Sequence, residues 1–94
     1  MSIDLEATFD KFEDEYIQFE RIENKLHARP DIHAFILLDK LVPGDRDMVC
    51  AAEHDEIYLD VDTDALALVA TEDDILQLVR CGVRLDDDSL AMFV

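Results

Sequence analysis

Apolar residues recur at Leu5, Phe9, Phe12, Tyr16, Phe19, Ile22 and Leu26. Steps of three and four stack side chains on one face of a helix, so residues 4 to 28 read as one long amphipathic helix. Ile17 widens the apolar stripe, while Asp10, Glu13, Asp14, Glu20 and Arg21 occupy much of the remaining surface. Asp4 suits the capping position and places negative charge at the positive end of the helix dipole. Lys25, His27 and Arg29 lie near the opposite end, and Arg29-Pro30 stops the helix, because a residue before proline avoids helical geometry.

Residues 31 to 42 contain Phe35-Ile36-Leu37-Leu38, a run short enough to suit a buried strand or a helix. Helix is favoured. Pro30 fits a first-turn position, Ala, Leu and Lys prefer helix, and Pro43-Gly44 is a strong stop. The two helices would then form a hairpin through a tight turn near Ala28 to Asp31. Beyond Gly44 the pattern shifts to short alternating runs. Met48 to Ala52 and Glu56 to Leu59 read as strands around a Glu53-His54-Asp55 turn. Asp62 or Thr63 caps a short helix through Ala70. Thr71 caps another, which buries Ile75, Leu76, Leu78 and Val79 and ends at a left-handed Gly82. Val83 to Leu85 and Leu90 to Val94 pair across Asp86-Asp87-Asp88-Ser89. The fold class is α+β: an N-terminal helical hairpin, then a small, mostly antiparallel sheet with inserted short helices.

Length and composition narrow the picture further. The chain has 94 residues, half of them apolar, which suits one domain over residues 1–94 with its own core. Asp and Glu outnumber Lys and Arg by 24 to 8, for a formal charge of −16. Such a charge repels phosphate backbones and anionic membranes, so direct nucleic-acid or membrane binding is not expected. It attracts a basic protein surface or a divalent cation. No apolar stretch reaches the roughly 20 residues that span a bilayer, and the acidic start from Met1 to Asp10 is unlike a secretory leader. A cytoplasmic protein is expected, with Cys50 and Cys81 as reduced, buried thiols.

The chemistry-bearing candidates are few. Asp60, Asp62 and Asp64 alternate as at the start of a calcium loop. The match then fails, since Ala65 stands where glycine is needed and Thr71 where the closing glutamate belongs. A helix-start role for one of these Asp residues is the competing reading. Asp86, Asp87 and Asp88 form a second acidic cluster, suited to a solvated hairpin tip. With the first cluster it could make a weak Mg²⁺ or Ca²⁺ site. His54 among Glu53, Asp55 and Glu56 resembles an acid–base group but has no nucleophile beside it in sequence. A zinc set of Cys50, His54, Cys81 and His27 or His33 lacks paired-ligand spacing. There is no glycine-rich phosphate loop, nucleophile elbow or Cys-x-x-Cys motif. Neither enzyme activity nor a cofactor is expected. The stripe of Phe9, Phe12, Tyr16 and Phe19 reads either as core or as a self-association face, which would make a homodimer.

The segments Ala51 to Ile57, Leu78 to Val83 and Leu90 to Val94 resemble small acidic proteins of bacteria and their phages that have no assigned activity. The resemblance covers about half the chain and carries over no functional residue. It implies a phage or prophage setting. The expected function is a non-enzymatic acidic module that binds a basic protein. A DNA mimic that blocks a nucleic-acid-binding protein and a weak divalent-cation binder are the alternatives. A salt-rich host would also explain the acidity, since Lys11, Lys25 and Lys40 are the only lysines.

Overall fold

The helix expected over residues 4 to 28 ends at Lys11. In the computed structural model, which describes residues 3–53, 55–86 and 89–93, the chain runs through α1 (Leu5–Lys11) and two single 3-10 turns, Glu13–Glu15 and Phe19–Arg21. There follow α2 (Pro30–Leu41), β1 (Val49–Glu53), β2 (Glu56–Leu59), α3 (Thr63–Val69), α4 (Glu72–Arg80), β3 (Val83–Asp86) and β4 (Ser89–Phe93). The α+β class holds. The His54, Asp87, Asp88 and Val94 positions lie outside the described residues.

Asp4 caps α1 as its sequence suggests, accepting the Ala7 N–H at 3.1 Å. Two effects end the helix early. Continued helix would put Asp10, Glu13 and Asp14 at three- and four-residue spacing, so like charges would crowd one face. A tertiary partner also competes for the backbone. The Ile17 N–H donates to the Val79 carbonyl at 3.1 Å, an acceptor in the last turn of α4 that the Gly82 N–H shares at 3.0 Å. To make that bond Ile17 takes a φ of 64°, a left-handed conformation that β-branched residues rarely adopt. No tight turn near Ala28 to Asp31 therefore joins two long helices. Residues 12–29 cross the end of α4 instead, and α2 begins afresh at Pro30.

The remaining elements follow their local signals. Arg29 is extended before Pro30, which opens α2 at its first turn. The helix turns His33, Ala34, Leu37 and Leu38 inward, which decides between helix and strand for this run. Asp62 caps α3 by accepting the Asp64 and Ala65 N–H groups. Thr71 and Asp74 form a reciprocal capping box on α4. Gly82 ends α4 with a φ of 96°, where a side chain would be strained.

The sheet has strand order β1-β2-β4-β3 and is antiparallel throughout. The β3–β4 hairpin slots its second strand beside β2, so the α3–α4 pair spans two hairpins. Leu59 pairs with Leu90, and Met92 pairs with Ile57 on one side and Val83 on the other. These rows face α4, whose Ile75, Leu78 and Val79 are buried. Leu76 is only half-buried, contrary to expectation. α1 and α2 both pack on α4, and Leu38, Leu66, Ile75, Leu78, Val83 and Leu90 are fully enclosed.

One buried polar group organises this core. His33 is wholly buried, and its Nδ1 accepts the Leu26 N–H at 3.0 Å. That fixes the ring proton on Nε2, which donates to Gln77 Oε1 at 3.0 Å. Gln77 in turn donates to Asp73 at 3.1 Å, and Phe19 meets the imidazole edge-on. A single chain of hydrogen bonds thus ties the 22–29 segment to α2 and α4.

Cys81 is buried as expected, and burial pushes its thiol up to about 12. Cys50 corrects the expectation, because it is exposed. It lies on β1, an edge strand with every residue open to solvent.

Two substitutions test this frame. Replacing His33 by Leu strands the Leu26 N–H and the Gln77 carbonyl oxygen, so the urea midpoint should fall by the equivalent of about 1–3 kcal/mol. Ile17→Gly should raise that midpoint, because a left-handed β-branched residue costs about 1–2 kcal/mol, more than the roughly 0.5–1 kcal/mol that glycine loses in chain entropy.

Candidate functional site

β3 is the last strand of the sheet and pairs with β4 alone. α1 runs alongside it, and the first 3-10 turn packs on α1 and α4. Between them lies an open groove of about 490 Å³. Its apolar surface comes from Phe9, Tyr16, Val79, Val83, Leu85 and Phe93, and its acidic wall from Asp10, Glu13 and Asp14. Val83 and Leu85 share the inner face of the sheet with their partners Met92 and Leu90. Arg84 and Phe93, on the opposite face by strand alternation, also line the groove. The groove is thus lined by side chains from both faces of the sheet on its β3 side.

The charge of the groove follows from who is paired. Arg84, its one basic lining residue, forms an ion pair with Glu56 and stands 4.8 Å from the centre of the Phe93 ring. The Tyr58 hydroxyl donates to the same Glu56 at 3.2 Å. Asp10, Glu13 and Asp14 are exposed, and none pairs with a cation among the described residues. The groove is therefore apolar at its floor and negative at its wall.

The wall is held by Glu15. Arg80 donates to Glu15 Oε1 through Nε at 2.9 Å and Nη2 at 2.8 Å, and Arg21 Nη1 reaches Oε2 at 2.6 Å. Hydrogen bonds from Arg80, with the charges of Arg21 and Arg80, hold the Glu15 carboxyl below its ordinary 4.5 despite partial desolvation. This clamp turns residues 13–15 so that Glu15 faces inward while Glu13 and Asp14 face solvent.

The candidates from sequence fall elsewhere. Asp60 pairs with Arg46 at 2.8 Å, Asp62 is the α3 cap, and Asp64 is exposed in the first turn. Asp86 ends β3, 4.0 Å from Arg84, while Asp87 and Asp88 lie outside the described residues. Among the described residues no three His, Cys, Asp or Glu side chains converge to hold a metal. The zinc set is split, with Cys50 on the exposed edge and Cys81 in the core. Phe9 is in the core, and Phe12, Tyr16 and Phe19 are half-buried against it, so most of the aromatic stripe packs within its own molecule. Sequence reasoning missed the groove, the Glu15 clamp and the role of His33. The signal for the groove was present in Asp10, Glu13 and Asp14, which read only as a solvated helix face.

Comparison with known protein families, with curated proteins and with solved structures returned no match. Among the described residues no helix is long and apolar enough to cross a membrane.

The clamp has a pH signature. Because folding lowers the Glu15 value below 4.5, the unfolded chain binds more protons there than the native one in acid. The clamp's contribution is complete above that ordinary value and fades as pH falls through the depressed one. Glu15→Gln should thus lower the melting temperature most near neutral pH, with the gap to the parent narrowing as pH falls below 4.5. A gap that does not change with pH would refute the clamp.

Proposed function

We propose that the protein is a non-enzymatic interaction module that holds a basic partner protein through its acidic surface. The carrying observation is the groove beside β3, where an apolar floor meets three unneutralised carboxylates. The wider charge distribution supports it. Lys11, Arg21, Arg46, Arg80 and Arg84 are all engaged by carboxylates of the same molecule. Lys25 donates to the Ile22 carbonyl and sits over the Phe19 ring. With so many cations used internally, the surplus negative charge faces outward.

Such a surface steers positively charged partners to it and rejects nucleic acid and acidic proteins. Two of the groups that often carry chemistry are withdrawn from solvent. His33 is locked between Leu26 and Gln77 inside the core, and the buried Cys81 thiol stays protonated. The exposed thiol of Cys50 suits a reducing compartment such as the cytoplasm. A phage or prophage origin, implied by the resemblance of the second half, belongs to the same reading.

The immobilised protein, incubated with a lysate of its native host at low salt, should retain proteins of high isoelectric point. These should elute as salt rises past about 0.3 M, where screening shortens electrostatic reach well below 10 Å. Mass spectrometry of the eluate decides the matter. Retention of no basic protein at low salt, or of the same set after the salt wash, would defeat the proposal.

A further inference from the structure

We infer that the open edge of β3 takes up an extended basic segment of the partner as an added strand, with its Lys or Arg side chains facing Asp10, Glu13 and Asp14. This rests on the reading of the protein as an acidic interaction module and names the docking surface within it.

Three observations meet here. β3 ends the sheet, so its outer backbone groups have no strand neighbour among the described residues, and an edge of this kind is a template for another strand. The groove beside that edge is lined by Val83, Arg84 and Leu85, successive residues of β3 that alternate between its two faces. The far wall carries three acids free of internal cations. An added strand alternates its side chains, and the groove offers both kinds of neighbour. Tyr16, Leu85 and the exposed Phe93 suit apolar side chains, and the carboxylates suit ammonium or guanidinium groups.

Charge also selects the occupant. A second copy of this chain would bring another −16 towards the same acidic wall, and long-range repulsion opposes that approach. A nucleic acid is refused on the same ground. A segment that alternates basic and β-branched residues satisfies wall, floor and backbone edge together. β3 is only four residues long, so main-chain pairing is brief and most discrimination falls to the carboxylates.

The test uses the full-length ¹⁵N-labelled protein and a capped hexapeptide of alternating lysine and valine. Binding should shift and slow the exchange of amides in Val83–Asp86, and the same peptide with glutamate for lysine should not bind. Asp10→Asn with Glu13→Gln and Asp14→Asn should weaken binding by about tenfold, since removing several close charge pairs costs on the order of one decade. Asp39→Asn with Asp45→Asn and Asp47→Asn, exposed acids elsewhere, should change it by less than about threefold. Shifts centred on β1, or equal weakening by both triple variants, would overturn the groove and leave the acidic module standing. No binding of the lysine–valine peptide would also overturn it. Loss of low-salt capture of basic proteins is the separate failure of the broader reading.

Discussion

Arg80 reaches from the last turn of α4 to Glu15, and the path of the N-terminal third depends on that contact. The guanidinium forks onto one carboxylate oxygen, Arg21 takes the other, and Arg80 Nη1 reaches the Arg21 carbonyl at 3.5 Å. Beside it, the Ile17 N–H closes on the Val79 carbonyl. A continuous helix from Asp4 would keep its backbone donors for itself, so the Ile17 bond could not form. Breaking the helix after Lys11 swings residues 12–21 across the end of α4. Asp10, Glu13 and Asp14 are then left outside, opposite the edge of β3. The acidic wall is a consequence of the clamp, not a separate feature.

Magnitudes assign different jobs to core and charges. Burying one Leu or Ile contributes about 1.5–3 kcal/mol, and α4 anchors several such residues between the sheet and the other helices. An exposed pair such as Lys11 with Glu72, both more than half exposed, adds roughly 0–1 kcal/mol. The core therefore holds the fold against the self-repulsion of its surplus negative charge. Ion pairs choose between alternative routes of the chain around that core. His33 does the same with neutral hydrogen bonds, fixing residues 22–29 where apolar contacts alone would leave their direction open.

What was legible in sequence is what local chemistry decides. Pro30 at the start of α2, Asp62 and Thr71 as caps, Gly82 as stop, and the alternation of β2 all act within a few residues of themselves. The first helix was misread because its spacing is permissive. Phe9, Phe12, Tyr16, Phe19 and Ile22 advance by three or four, and three is also the repeat of a 3-10 turn. The same apolar residues reach the same core by a broken path. The contacts that hold the broken path, Ile17 with Val79 and Glu15 with Arg80, join positions far apart in sequence, and no periodicity reports them. The groove was hidden for the same reason, since it exists only once residues 9–16 lie beside residues 83–86. Cys50 was misplaced because reduced cysteines are usually buried, and only the strand order β1-β2-β4-β3 reveals its strand as an edge.

The two edges of the sheet are managed differently, and the difference bears on function. An open edge invites unwanted pairing unless something prevents it. On β1 the register shifts between Val49 and Ala51, an irregularity that bends a strand and spoils it as a template. β3 keeps regular pairing with β4 from Val83 to Asp86 and is guarded by charge instead. A bulge refuses every strand alike, whereas a wall of carboxylates repels acidic strands and attracts basic ones. The acidity that keeps copies of this chain apart would thus also select a cationic strand, and protection of the edge and recognition at it become one electrostatic property.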